Sequence, residues 1–351
     1  MIKKQISILL TVAMVVAAVS GCGREKTNSS AEEQNREDAQ DTEGMTDIFE
    51  PESEESELKV VTTIFPEYDW VKEIAGEETE HIDLTMLLDN GVDLHSYQPT
   101  AEDMMKISDC DLFIYVGGES DGWVDDALKE AVNQNMKVIN LLDVLGNEVK
   151  EEEIVEGMET EEEAEGETEE EEPEFDEHVW LSVKNAKVFC QAIAEALEEI
   201  DPANSDVYVE NVADYVEKLD SLDVNYQNTV EQATKKTLVF GDRFPFRYLV
   251  DDYGLNYYAA FVGCSAETEA SFETIRFLAE KVDELGLKNV MTIEKSDQKI
   301  AKTIIENTKT KDQNILKLDS MQSTTSEEVI NGATYLSIME ANLDVLREAL
   351  Q

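Results

Sequence analysis

Histidine is scarce in this 351-residue sequence: His81, His95 and His178 are the only three. No His-Glu-x-x-His run and no Gly-x-Ser-x-Gly elbow occurs, so the usual signatures of a helix-borne zinc protease and of an α/β serine hydrolase are missing. Cysteine is nearly as sparse. There are four, none in a Cys-x-x-Cys pair, which leaves no dithiol redox motif and no cysteine-rich metal knuckle. Positive charge is also lacking, since 28 Lys and Arg stand against 80 Asp and Glu, for a formal net charge of −52. A polyanion of this kind lacks the basic residues that nucleic-acid phosphates demand and offers no basic patch to anionic lipid. It is compatible with cations. The apolar run from Ile6 to Val19 falls short of the roughly 20 residues a spanning helix needs, and no short-period repeat is present.

That run is instead a processing signal. Lys3 and Lys4 precede it, and it closes on Val19-Ser20-Gly21-Cys22, small residues directly before a cysteine. Residues 1–21 read as a secretory signal peptide. The last four residues resemble a bacterial lipobox, which implies a lipidated Cys22 and an extracytoplasmic protein anchored to the outer face of the cell membrane. Residues 22–57 follow. They are rich in Glu, Asp, Ser, Asn and Gln and poor in large apolar side chains, so burial cannot offset their ordering entropy, and they read as an acidic disordered tether. A second acidic run, 148–177, carries much of the remaining charge and reads as a solvated, disordered loop. Beyond Cys22, the three cysteines Cys110, Cys190 and Cys264 leave at least one unpaired. A Cys110–Cys190 bridge and three buried free thiols are both open readings.

From Leu58 onward, short apolar runs alternate with amphipathic ones. Strands are expected at 59–65, 82–87, 112–116 and 137–141, with helices beginning near Pro66, Thr100 and Gly122 and another over Leu181–Ile200. After Asp201-Pro202, residues 203–235 form one long helix-forming stretch without Gly or Pro. The alternation then restarts, with strands expected at 237–240, 256–261, 289–293 and 315–318 and a last helix over Ser326–Leu350. This grammar predicts an α/β fold of two lobes, each a roughly four-stranded, mostly parallel sheet flanked by helices, joined by one long rigid helix. The lobes would span 58–202 and 236–351.

Open parallel sheets bind ligands beyond the carboxyl ends of their strands. His95 follows the second strand, and His178 follows the fourth across the acidic run. In the second lobe Asp242 and Arg243 follow the first strand, Glu267 and Glu269 the next, Glu294 the third and Asp319 the fourth. Imidazole and carboxylate together are ligands for first-row transition metals. Loop histidines making ordinary hydrogen bonds are the competing reading. His81 stands at the opposite end of its strand and reads as a surface residue.

Two segments carry a resemblance. Gly91-Val92-Asp93-Leu94-His95-Ser96-Tyr97-Gln98-Pro99 and Asp176-Glu177-His178-Val179-Trp180-Leu181 are similar to the histidine motifs of the zinc- and manganese-uptake solute-binding proteins of ABC transporters. Val61-Thr62-Thr63-Ile64-Phe65-Pro66, Asp111-Leu112-Phe113-Ile114-Tyr115 and the ending at Leu318-Asp319 fit the same pattern, so the resemblance covers about residues 58–147 and 175–350. It implies a helix-linked two-lobed fold and a lipoprotein without enzymatic activity. Such a protein captures Zn2+ (or Mn2+) between its lobes and hands it to a cognate permease, acting as a monomer and binding no nucleic acid. His95, His178 and Asp319 are the implied ligands. The remaining family ligand falls on Arg243, which cannot bind a cation. Adjacent Asp242 is the expected substitute, with Glu267 as a second candidate and Arg243 as a partner for a site carboxylate. Tyr97 and Trp180 are expected to hold the histidines. Cys264 stands at a strand end near the cleft, outside the expected ligand set. The acidic run lies where many relatives carry a His-rich loop. A metal-dependent hydrolase on the same scaffold and a surface adhesin with an incidental metal site are the alternative readings.

Overall fold

The computed structural model describes residues 57–159, 174–265 and 269–351. The leader, Cys22, the tether up to residue 56, the centre of the acidic run (160–173) and Glu267 lie outside the described residues. Among the described residues no helix is long and apolar enough to cross a membrane.

The first lobe is built from β1 (Leu58–Thr62), α1 (Phe65–Ala75), β2 (Ile82–Met86), α2 (Ala101–Asp109), β3 (Leu112–Tyr115), α3 (Val124–Lys129) and β4 (Lys137–Asn140), followed by the short α4 (Leu141–Leu145). Its strands lie in the order β2-β1-β3-β4, and every pairing is parallel. Val60, Val61, Leu112, Phe113 and Ile114 are buried, as expected of strands covered on both faces. Helix α1 starts with Pro66 in its first turn, where a missing N–H is harmless. The Glu67 carboxylate turns back to accept the N–H groups of Thr63 at 2.8 Å and Ile64 at 3.2 Å.

Helices α5 (Val183–Ile200) and α6 (Ser205–Gln232) follow. The 28 residues of α6 span about 42 Å at ~1.5 Å per residue. This helix underlies both lobes. Near its start, Asn211 Nδ2 donates to the carbonyl of Ile74 in α1 at 2.9 Å. Near its end, Tyr226 donates its hydroxyl to the Met339 carbonyl of the second lobe at 2.6 Å. One hydrophobic core runs without interruption from Val60 through Phe189, Tyr215 and Leu222 to Leu346. The linker is thus packed into a core shared by the two lobes.

The second lobe comprises β5 (Thr237–Phe244), α7 (Arg247–Tyr253), β6 (Asn256–Val262), α8 (Phe272–Leu285), β7 (Asn289–Thr292), α9 (Lys299–Asn307), β8 (Asn314–Lys317), α10 (Ser326–Ile330) and α11 (Tyr335–Ala349). Its order, β6-β5-β7-β8, repeats that of the first lobe, again with parallel pairings. The predicted fold class therefore holds, and three local expectations do not. The last helix is two, separated by a turn in which Gly332 takes φ +98°. Strand β5 does not stop at Phe240. It shifts register between Phe240 and Arg243 and continues to Phe244, whose ring stacks on Tyr257 with centroids 3.7 Å apart. That aromatic contact draws the chain on along the sheet, so Asp242 and Arg243 sit within the strand, at its irregularity.

The third departure concerns the acidic run, expected to be disordered throughout 148–177. Its two described ends are ordered. Glu152 N–H donates to the Glu174 carbonyl and Asp176 N–H to the Lys150 carbonyl, both at 2.9 Å, which ties the ends to each other. Glu159 N–H donates to the Ala260 carbonyl of β6 at 3.0 Å, and Met158 is buried. Charge density alone misjudged these ends because their backbone groups find partners and Met158 supplies an apolar anchor. No disulfide forms among the described residues: Cys110 and Cys190 are free and buried, and Cys264 is free and half-buried.

Candidate metal centre

The loop after β2 carries His95 on a short 3-10 turn, Leu94–Ser96, which Asp93 caps by accepting the His95 N–H at 3.1 Å. His178 is fully buried immediately before a second such turn, Val179–Leu181. Asp176 fixes it twice, accepting the backbone N–H at 2.9 Å and facing Nδ1 at 3.0 Å. An ionised carboxylate only accepts, so the proton sits on Nδ1 and the lone pair on Nε2. His95 Nδ1 is held by Ser120 Oγ at 2.8 Å, with Glu177 Oε2 at 3.4 Å. Glu177 is itself fixed by the Ser120 N–H at 2.9 Å. Burial acts to raise the Glu177 carboxyl, but hydrogen bonds from His95 and Ser120 outweigh it and hold it below the ordinary range.

These contacts aim both Nε2 atoms at one point, where they lie 3.1 Å apart. Two imidazole nitrogens bound to one tetrahedral zinc at ~2.0–2.1 Å would be separated by about 3.3 Å. A divalent cation placed between them would take a lone pair from each Nε2. The donor set therefore fits the metal. Trp180 packs its ring beside His178, with centroids 5.3 Å apart. Its Nε1–H donates to the Ser320 carbonyl of the second lobe at 2.8 Å, and its own carbonyl accepts the Tyr335 hydroxyl at 2.8 Å. The buried imidazole is thus set at the joint between the lobes.

The expected residues of the second lobe are placed less simply. Among the described residues, the group of His, Cys, Asp or Glu donors lying within 4.8 Å of one another consists of His95, His178 and Cys264. Asp319 and Asp242 are not in it. Asp319 Oδ1 accepts the Met321 N–H at 3.0 Å, while Oδ2 is 3.9 Å from Lys317 Nζ. Burial raises the Asp319 carboxyl. Asp242 Oδ1 accepts the Arg243 N–H at 3.0 Å, and its buried Oδ2 has no hydrogen-bond partner. Arg243 pairs its guanidinium with Asp93 and with Gln322 Oε1, the latter at 2.8 Å. Burial acts to raise the Asp93 carboxyl, and the Arg243 charge overrides it, holding Asp93 below the ordinary range. The carboxylate that Arg243 serves is thus Asp93, the residue that caps the His95 turn, outside the expected ligand set. His81 lies elsewhere, against Asp201 at 2.9 Å.

Cys264 follows Gly263 at the end of β6. A Cβ on Gly263 would lie 2.8 Å from His178 Cε1, so only glycine lets this strand end approach the imidazole. The Cys264 N–H donates to Glu152 Oε1 at 3.3 Å. Burial, reinforced by the charge of Glu152, pushes the Cys264 thiol well above its usual range. Sequence reasoning passed over Ser120 and Glu177. Ser120 lies just beyond β3, so the same inspection of strand ends, applied to the third strand, reaches it.

Comparison with known proteins bears on this geometry. The model of the family described as zinc-uptake complex component A, periplasmic (ZnuA) matches residues 60–349. The chain is 30% identical over 299 residues to the zinc-binding protein AdcA of Streptococcus pyogenes serotype M3, covering 84% of this chain and 56% of that protein. It therefore spans little more than half the length of the AdcA relatives it matches. It is 30% identical over 348 residues to the high-affinity zinc uptake system protein ZnuA of Bacillus subtilis strain 168, covering 99% and 98% of the two chains. The crystal structure of the Zn(II)-bound ZnuA-like domain of Streptococcus pneumoniae AdcA matches with a TM-score of 0.65 at 28% identity, over 84% of this chain and 99% of that one. With a family model spanning nearly all of the folded chain and two lobes meeting at a paired-imidazole centre, this protein belongs to the ZnuA family.

Proposed function

We propose that this chain is the extracytoplasmic capture component of a zinc importer. It binds Zn2+ in the cleft between its lobes at His95 and His178, with Asp319 and Asp242 as carboxylates from the second lobe, and passes the ion to an ABC permease. Signal peptidase would remove residues 1–21, and a lipidated Cys22 would hold the monomeric protein at the outer face of the membrane. The observation that carries this reading is the 3.1 Å approach of two Nε2 atoms whose opposite ring nitrogens are both already engaged. The zinc named for the relatives supports it. Zn2+ is cargo here. The residues' part is to present preset lone pairs, which lowers the ordering cost of binding. The unpartnered Asp242 Oδ2 and the lightly engaged Asp319 Oδ2 are oxygens with lone pairs to spare.

Elemental analysis of the mature protein purified without added metal tests the reading. About one zinc per chain is expected, and His95→Ala should lose it. A metal-free parent that also fails to bind added zinc, or a His95→Ala protein that retains its zinc, would sink the proposal.

A further inference from the structure

We infer that Cys264, rather than Asp319 or Asp242, is the third donor of this centre, those carboxylates standing as outer partners, so that two imidazoles and a thiolate hold the ion and the site takes zinc in preference to manganese; this rests on the reading of His95 and His178 as the zinc site. Three observations lead here. The sulfur belongs to the group of donors that lie within 4.8 Å of one another, and no carboxylate among the described residues does. The position where the family resemblance calls for a second-lobe ligand, at the irregularity of β5, carries Arg243. Its guanidinium is committed to Asp93 and Gln322. Finally, the strand end bearing Cys264 is placed deliberately close: Gly263 allows contact with the His178 ring, and Glu152 fixes the Cys264 backbone from the ordered end of the acidic run.

Tetrahedral zinc with a zinc–sulfur bond of ~2.3 Å and zinc–nitrogen bonds of ~2.0–2.1 Å needs sulfur–nitrogen separations of roughly 3.6 Å. The donor atoms already lie within 4.8 Å of one another, so a small side-chain adjustment by Cys264 brings the group to that spacing. As the Sγ–metal bond forms, the S–H bond breaks and its proton leaves to solvent, with no change of oxidation state. The double charge of the ion compensates the burial and the neighbouring carboxylates that otherwise keep the thiol protonated. Thiolate is a soft ligand that suits zinc, whereas manganese favours carboxylate, carbonyl and water oxygen. A His2Cys centre therefore discriminates where a set of imidazoles and carboxylates would accept both.

The mature protein loaded with Co2+ in place of zinc provides the test. A thiolate-to-cobalt charge-transfer band in the near ultraviolet is expected for the parent and should vanish in Cys264→Ser. Cys110 and Cys190 are buried and supply no alternative sulfur in the donor group. In competition assays Cys264→Ser should lose zinc affinity on the order of a hundredfold and manganese affinity far less, and Cys264→Asp should move the preference toward manganese. Thermal unfolding of the metal-free variants should match the parent, and the cobalt spectrum of the parent needs no variant at all. A parent that binds cobalt without the band, or a Cys264→Ser protein that keeps parental zinc affinity, would overturn the assignment of Cys264 and leave the zinc-capture reading intact. A parent that binds neither metal would overturn both.

Discussion

The two lobes share one strand order, 2-1-3-4 in each, yet equip their strand ends differently. The first lobe presents two imidazoles whose orientation is settled by short local contacts: Asp176 to His178, and Ser120 with Glu177 to His95. The second lobe presents an arginine, a thiol and two carboxylates. Of these the thiol reaches the donor group, while the arginine is turned to the first lobe's Asp93. Identical topology therefore does not imply equal contribution. On the proposed reading the first lobe supplies a preset binding face, and the second supplies the groups that decide which ion is kept.

The sharpest way to break this comparison is to remove one acidic or imidazole side chain from each side. His178→Ala should abolish high-affinity zinc binding, with a loss on the order of a thousandfold or more, because a coordinating imidazole disappears together with its alignment by Asp176. Asp319→Ala should cost on the order of tenfold if its carboxylate joins only as an outer partner. Chelator competition on both variants measures this. Equal losses would show that the lobes contribute alike and that the asymmetry in donor placement is not energetic.

Much of this arrangement was legible in the sequence. Alternating apolar and amphipathic runs gave all eight strands to within a few residues, because buried parallel strands and amphipathic helices leave distinct periodicities. Inspection of strand ends reached His95, His178 and Arg243. What was not legible depends on distance across the cleft. Nothing local to Cys264 says that Gly263 brings it against His178, and nothing local to Asp319 says that its carboxylate falls outside the donor group. The extension of β5 through Arg243 rests on Phe244 stacking on Tyr257, a contact between residues on neighbouring strands that periodicity does not report. The ordered ends of the acidic run were hidden by their charge.

A smaller effect probes the joint between the lobes. Asp69, on α1 of the first lobe, accepts the N–H of Tyr335 at the start of α11 at 2.7 Å, and burial pushes its carboxyl up to about 7. In the unfolded chain an aspartate titrates near 3.9. Between those values the folded state holds a proton that the unfolded state has lost. This group's contribution is therefore fully present below about pH 4, falls by about 1.4 kcal/mol per pH unit as pH rises, and is lost above about 7. Asp69→Asn keeps an acceptor for Tyr335 and cannot ionise. Denaturant titrations of metal-free protein should show the variant gaining on the parent between pH 5 and pH 7. A constant difference across that window would mean the buried carboxyl does not titrate there.

The smallest expected effect concerns the acidic run, whose described ends are ordered. Residues 160–173 lie between ends that are anchored to each other and to β6. Replacing 161–172 with a short Gly/Ser linker leaves the Glu152–Glu174 and Glu159–Ala260 hydrogen bonds in place. Melting temperature and equilibrium zinc affinity should stay within error of the parent. Capture should slow only at low ionic strength, since the field of these carboxylates is screened within about 10 Å at 0.1 M salt. Extending the replacement to 150–172 should behave differently, because it removes Glu152 from the Cys264 N–H, Met158 from its buried seat and the Lys150 ammonium from Asp251. That longer variant should melt lower and bind zinc several-fold more weakly, on the scale of a lost outer partner. Stopped-flow capture and chelator competition on the two replacements separate the contributions. A tenfold loss of affinity in the shorter one would place ligands in the centre of the run, and parental behaviour in the longer one would deny its ends any part in setting Cys264.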